Sequence, residues 1–201
     1  LDEVVTGFRM DLQGAQGYFG VEPDLAVFGK GLANGFPVAA LTGRQKVMRM
    51  LNGQPDGAPF YGTYSGHPLA LAGAKVNLEA LSEIGEDGYD EFLSRGQRFV
   101  EGLREIANDT GHDVYIPDFT GYSCVHFTDS ETDPTGWTEW RDVDRHVDVE
   151  KTKAFARAMI GNGIYVVPKF GRINMTHAHR DEHVDEALEA AKTAFDAVPV
   201  Q

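Results

Sequence analysis

Pro23-Asp24-Leu25-Ala26-Val27-Phe28-Gly29-Lys30-Gly31-Leu32 is the stretch from which the rest of the chain is read. A short apolar run bounded by proline and glycine suits a strand buried in a sheet. It delivers Lys30 directly off the strand end, between two glycines that let the backbone approach other groups closely. A lysine after a buried strand is expensive unless it is paired or used covalently. Desolvated amines fall in pKa and become nucleophiles toward carbonyls. Taken alone, Lys30 also reads as an exposed loop lysine. Gly29-Lys30-Gly31 lacks the preceding glycine and the following Ser or Thr of a phosphate-binding P-loop.

Working outward, residues 1–5 read as another strand, and residues 38–41 as a third. On the first, Asp2 and Val4 alternate by two and so leave the same face, one offering a carboxylate and the other a flat apolar contact, a pair suited to a ring. Asp2 also reads as a buried acid bonded to backbone. The 28 positions from Asp2 to Lys30 leave room for a helix-containing crossover between parallel strands whose ends meet at one ligand. Pro68 suits the first position of a helix that carries Leu69, Ala72, Val76 and Leu81 on one face. The loop before it, Gly62-Thr63-Tyr64-Ser65, reads as a capping loop. A second helix is expected over residues 89–108, with Phe92, Phe99, Leu103 and Ile106 at helical spacing.

Beyond it the pattern predicts a strand over 122–128, a polar loop over 129–147 anchored by Trp137 and Trp140, a helix over 148–160, strands over 164–167 and 173–178, and a last helix over 181–198. The chain therefore divides near residues 108–112. A β/α piece, 1–110, precedes a compact α+β piece, 111–201.

A formal charge of −13 argues against a surface for phosphate backbones or anionic membranes, so neither nucleic acid nor a membrane is an expected partner. A hydrophobic content of 42% supplies a core. No stretch approaches the roughly 20 apolar residues of a membrane span. The single cysteine, Cys124, forms no intrachain disulfide, which fits a reducing compartment, and a cytoplasmic protein is expected. Placed mid-strand, Cys124 reads as a packed thiol. His177-Ala178-His179 with His183 has the alternation of a metal site but no dedicated acid beside it. No metal is expected.

Four ordered motifs carry a family resemblance: Asp2-Glu3-Val4-Val5-Thr6-Gly7-Phe8-Arg9, Pro23-Asp24-Leu25 leading to Gly29-Lys30, Gly35-Phe36-Pro37-Val38, and Gly62-Thr63-Tyr64-Ser65-Gly66-His67-Pro68. The chain resembles the class III aminotransferases and, among them, glutamate-1-semialdehyde 2,1-aminomutase and its relatives. The stretch from Gly163-Ile164-Tyr165-Val166 through His179-Arg180-Asp181-Glu182 is similar to that family's C-terminus, so the likeness covers essentially the whole chain and implies that His179, at the strand-to-helix junction, caps the last helix.

The resemblance implies an α/β architecture of the pyridoxal-phosphate-dependent transferase fold type I, here the C-terminal part of the large domain plus the small C-terminal α+β domain. It implies pyridoxal 5'-phosphate as cofactor, with Lys30 as the Schiff-base lysine and proton carrier and Asp2 as the partner of the pyridine nitrogen. It implies Val4 against one ring face, and Thr63 on the cofactor phosphate of the other subunit of a homodimer. The expected reaction is amino-group transfer on a small amino acid or amine substrate. An intramolecular aminomutase and a non-catalytic dimerising module are the alternatives. His67 stands where relatives often have asparagine, and Ala33-Asn34-Gly35 replaces a more glycine-rich run. Arg172 reads either as a carboxylate-binding guanidinium or as a hairpin surface residue. In the family, the main phosphate loop, the ring-stacking aromatic and much of the substrate pocket lie upstream of the Asp2-Glu3-Val4 strand. The chain alone is expected to be poorly active.

Overall fold

A computed structural model describes residues 1–51, 56–117, 121–129 and 131–200. It separates into two compact units, residues 1–89 and 90–201.

In the first unit, β1 (Asp2–Glu3), β2 (Leu25–Phe28) and β3 (Ala40–Gly43) form one sheet in that order, β1 parallel and β2–β3 antiparallel. Short helices α1 (Ala15–Phe19) and α2 (Gln45–Met48) flank it in sequence. A small core of Ala26, Phe28, Leu32, Ala33 and Ala74 lies under the sheet, with Phe8 packed on Phe28 at 5.2 Å between ring centroids.

The two helices expected at 68–81 and 89–108 extend toward each other as α3 (Pro68–Asp109), whose helical course is broken only at Gly85 (φ 67°, ψ −174°). The face of its first part that packs is Ala70, Ala74 and Leu78, not the expected Leu69, Ala72 and Val76, which are exposed. Small side chains win the sheet-facing position because they let the helix backbone come close. Gly73 meets the Phe36 ring so tightly that a Cβ there would stand 2.4 Å from it. After Asp109, Gly111 (φ 76°) reverses the chain, and His112 N–H donates to Ala107 O at 2.8 Å, a glycine-dependent helix stop.

The units divide twenty residues ahead of the expected 108–112 boundary. Residues from 90 onward turn Phe92, Phe99, Val100, Leu103, Ile106 and Ala107 into the core of the second unit. That core closes around Phe127, Phe155 and Phe195, with ring centroids 4.7–5.8 Å apart. Around it lie β4 (Val114–Tyr115), β5 (Tyr122–Cys124), β6 (His126–Phe127), α4 (Trp140–His146), α5 (Val149–Gly161), β7 (Arg172–Asn174) and α6 (Asp181–Asp196). β4 pairs with β6 and β5 with β7, both antiparallel.

Four expectations change here. The strand over 122–128 is two strands, because Val125 leaves the ladder to donate to Gly171 O at 3.0 Å and its two halves serve different sheets. The strand over 164–167 shrinks to a bridge between Val167 and Arg172, and that over 173–178 to β7. The polar loop over 129–147 contains α4, opened by the Asp142 carboxylate, which accepts from Thr138 N–H (2.9 Å) and Glu139 N–H (3.1 Å). Trp137 anchors this segment edge-on to Tyr115, whereas Trp140 remains more than half exposed against Phe170.

Candidate active site

β1 and β2 set Asp2 opposite Val27 and Glu3 opposite Phe28. Just past the paired residues Val4 comes against Gly29: a Cβ built on Gly29 would lie 3.4 Å from Val4 Cγ1. Lys30 follows immediately. Its side chain is exposed and not buried, so the burial argument for its nucleophilicity gives way to one of placement. Its backbone has φ 38°, a left-handed conformation that costs an ordinary residue about 1–2 kcal/mol. The turn that holds it is tight: Leu32 N–H donates to Gly29 O (2.8 Å) and Asn34 N–H to Lys30 O (3.0 Å). A Cβ on Gly31 would press to 3.3 Å from Gly7 O, so glycine is needed after the lysine.

Asp2 and Val4 do not share a strand face, because β1 ends at Glu3 and the chain turns. Asp2 is exposed, with Oδ1 accepting Val4 N–H at 2.9 Å. The residue that builds this corner is one the sequence reading passed over. Glu3 is fully buried, and its carboxylate accepts from the Thr6 hydroxyl, from Ala15 N–H (3.0 Å) and from Gln16 N–H (2.8 Å). Glu3 thereby ties the turn after β1 to the start of α1. The turn is fixed again by Gly7 N–H on Glu3 O (2.9 Å) and by the Tyr89 hydroxyl on Phe8 O (3.1 Å). Burial, with the charge of Asp11 added, pushes the Tyr89 phenol up to about 12, so it stays a donor.

Asn77, on α3, is the second missed residue. Its Nδ2 donates to Gly31 O at 2.7 Å and reaches Leu32 O at 3.3 Å, holding the lysine turn from outside. The signal was a polar residue on the small-residue face of a helix, three positions from Ala74.

Thr63 lies in the exposed loop before α3, apart from Asp2, Val4 and Lys30 in the hydrogen-bond pattern of the described residues. His67 caps that helix, its Nδ1 accepting from Ala70 N–H at 3.4 Å. Phe36, Pro37, Tyr64, His67, Leu69 and Ala70 line a cleft of about 510 Å³ beside the loop.

In the second unit, Arg172 is half-buried on β7 and not in a turn, its guanidinium 5.7 Å from the Tyr122 ring centroid and Nη1 donating to the Tyr122 hydroxyl at 3.3 Å. Burial raises the Cys124 thiol above its ordinary pKa, opposed in part by Arg172, which leaves it a packed thiol and not a nucleophile. The cap of α6 is His183, whose Nδ1 accepts from Arg180 N–H at 2.9 Å. His179, expected there, instead accepts from Thr176 N–H at 2.9 Å. His177 stacks on Phe92 at 4.4 Å.

The structure thus brings Val4 against Gly29, with Lys30 on the strained turn that follows and Asp2 on the parallel strand beside β2. The same fold recurs in solved structures. An ω-transaminase from Sphaerobacter thermophilus superposes with a TM-score of 0.80 at 23% identity, over 98% of this chain and 43% of that one. The FumI protein of Sphingopyxis sp. MTA144, in its pyridoxal-phosphate internal aldimine form, superposes with a TM-score of 0.77 at 25% identity, over 98% of this chain and 42% of that one. The architecture is thus that of the fold type I pyridoxal-phosphate-dependent transferases. The chain belongs to the aminotransferase class-III family, which it matches over residues 1–195, and the cofactor of that family is pyridoxal 5'-phosphate. It is 38% identical over 197 residues to a glutamate-1-semialdehyde 2,1-aminomutase of Desulforudis audaxviator (strain MP104C), covering 96% of this chain and 43% of that protein. The chain spans less than half the length of the relatives it matches. Among the described residues no helix is long and apolar enough to cross a membrane.

Proposed function

We propose that this chain is the lysine-bearing part of a class III aminotransferase acting on a small amino acid or amine, with Lys30 and Asp2 as its catalytic residues. The observation that carries this reading is the placement of Lys30 on a left-handed turn one residue beyond the Val4–Gly29 contact. When bound, pyridoxal phosphate supplies an aldehyde that condenses with amines and a protonated ring that withdraws carbanion charge.

Lys30 Nζ serves as the attachment point for that aldehyde. Once freed by the incoming substrate amine, it is the base that takes the proton from substrate Cα. The exposure of Lys30 leaves Nζ open to both partners. Asp2 keeps a proton on the ring nitrogen, using the Oδ2 that its bond to Val4 N–H leaves available. Val4 excludes water from one ring face. Thr63 and the backbone ahead of α3 bind the phosphate held by a second copy of the chain, an assignment supported by the helix N-terminus there. Such a homodimer would cover Phe60, Tyr61 and Tyr64, all more than half exposed in the first unit.

An intramolecular aminomutase is the second reading, favoured by the 38% identity to a protein of that name. Net keto-acid release with a separate amino acceptor separates the two: a transaminase accumulates it and a mutase does not.

The primary test is borohydride trapping with pyridoxal phosphate, on this chain and on the chain joined to its upstream sequence, followed by peptide mapping. Label at Lys30 in the longer protein, lost in Lys30→Ala along with about 10²–10⁴-fold of kcat, is the expected result. A longer protein unlabelled at Lys30 overturns the proposal in favour of a non-catalytic dimerising module.

A further inference from the structure

We infer that Asn77 is a positioning residue for Lys30: its side-chain amide, by bridging the carbonyls of Gly31 and Leu32, holds the lysine turn in the strained conformation from which Nζ reacts. The inference rests on the assignment of Lys30 as the attachment lysine.

Local bonds alone do not account for the turn. Leu32 N–H to Gly29 O and Asn34 N–H to Lys30 O close a short 3-10 segment, Lys30–Leu32, but such a segment is equally available to a lysine with ordinary negative φ. Lys30 instead sits at φ 38°, and a non-glycine residue stays there only where its surroundings leave no alternative. Two tertiary contacts do this. On one side the Gly7 carbonyl abuts Gly31, in a turn held by Gly7 N–H on Glu3 O and by the Tyr89 hydroxyl on the next carbonyl, Phe8 O. On the other, Asn77 Nδ2 reaches from a helix 46 residues along the chain and donates to Gly31 O at 2.7 Å and Leu32 O at 3.3 Å. Those carbonyls belong to the second and third peptide planes after Lys30, the first being held by Asn34 N–H on Lys30 O, so the amide fixes the continuation of the turn that the lysine opens.

Asn77 touches neither Nζ nor any reacting atom. It acts through the backbone, so its loss should change where the amine points and not whether the unit folds. The same side chain is partly solvent-accessible, so the amide does not serve to satisfy a deeply buried core.

The test uses the full-length protein, freed of cofactor and re-exposed to pyridoxal phosphate. The rate of attachment at Lys30 is read by timed borohydride quenching and peptide mass mapping, and the pH midpoint of the cofactor absorbance by titration. Asn77→Asp keeps the shape and removes the donor. It is expected to slow attachment about tenfold and to displace the midpoint, with kcat falling more than KM rises. Asn77→Gln, which restores an amide, should recover most of the rate. Attachment rate and midpoint both unchanged in Asn77→Asp overturn the inference. If Asn77→Asp does not fold, Asn77→Gln and Asn77→Leu decide it: a Gln variant no faster than the Leu variant overturns it, and a clearly faster one supports it. Absence of label at Lys30 in the unmodified protein fails the assignment of the lysine instead, which keeps the two failures apart.

Discussion

Glu3 illustrates how a buried side chain fixes the backbone around residues to which the proposal assigns the chemistry. A carboxylate with no exposed surface is tolerated because three donors meet it: the Thr6 hydroxyl and the N–H groups of Ala15 and Gln16. Its neighbours in sequence, Asp2 and Val4, take their directions from that anchor. Glu3→Ala would strand those donors, and a loss of about 3 kcal/mol in urea unfolding of the chain is expected. Glu3→Gln, able to accept on one oxygen only, should fall between. A midpoint equal to the unmodified chain for Glu3→Ala would mean that water replaces the carboxylate. None of this was legible from the letters Asp-Glu-Val, where Glu3 alternates away from the face on which attention fell. The glycines that flank Lys30, by contrast, were legible as a close backbone approach at a strand end, which Val4 beside Gly29 and Gly7 O beside Gly31 bear out.

Among the elements, α3 and α5 teach opposite lessons about helical periodicity. The first part of α3 carries apolar residues on two faces. The sheet takes Ala70, Ala74 and Leu78, and leaves Leu69, Leu71 and Val76 in solvent. A helix apolar all round is one meant to be covered on both sides, and pattern alone does not say which side its own unit takes. In α5, Asp148 caps the N-terminus through Glu150 and Lys151 N–H, as its position before the apolar run predicts, and Phe155, Ala156 and Met159 fill the core. One polar group there is out of place. Thr152 is fully buried, and its hydroxyl finds no hydrogen-bond partner among the described residues. Thr152→Val keeps the branched shape and removes the hydroxyl. A gain of about 1 kcal/mol is expected, read as a higher urea midpoint at constant slope. A lower midpoint would indicate that the hydroxyl is bonded.

Taken whole, the chain joins two units of different character. The second has a continuous aromatic core, whereas the first has a small one and leaves Phe19, Phe60, Tyr61, Tyr64, Leu69 and Val76 each more than half exposed. Acid should act on the second unit. Burial lowers the pKa of His126 below its ordinary 6.5, and burial together with Arg95 lowers that of His177. The unfolded chain then takes up these protons first. Their contribution to stability is complete above about pH 6.5 and is lost as pH falls through the unfolded value toward the folded ones. The thermal midpoint of the chain should therefore drop between pH 7.5 and 5. In His126→Phe, which keeps an aromatic group against Tyr115, the drop should be smaller. An equal drop would place the acid sensitivity elsewhere.

Before any coordinates, local pattern marked the strand that ends at Lys30, its parallel pairing with the strand that holds Asp2 and the helices around Phe99 and Phe195, while the family resemblance of the four ordered motifs implied the class of fold. The strand and the helices depend on neighbours within a few residues, which local propensity and periodicity encode directly, and the parallel pairing follows from the length of the crossover between the strands. Where β1 stops, which face of α3 packs, how the 122–128 stretch splits between sheets, and that Glu3 and Asn77 bond the turns after Asp2 and Lys30 came only with the tertiary structure. Each of these is decided by a group distant in sequence, such as Gly171 for Val125 or Asn77 for Gly31. Sequence spacing carries no record of such pairings until the chain has folded.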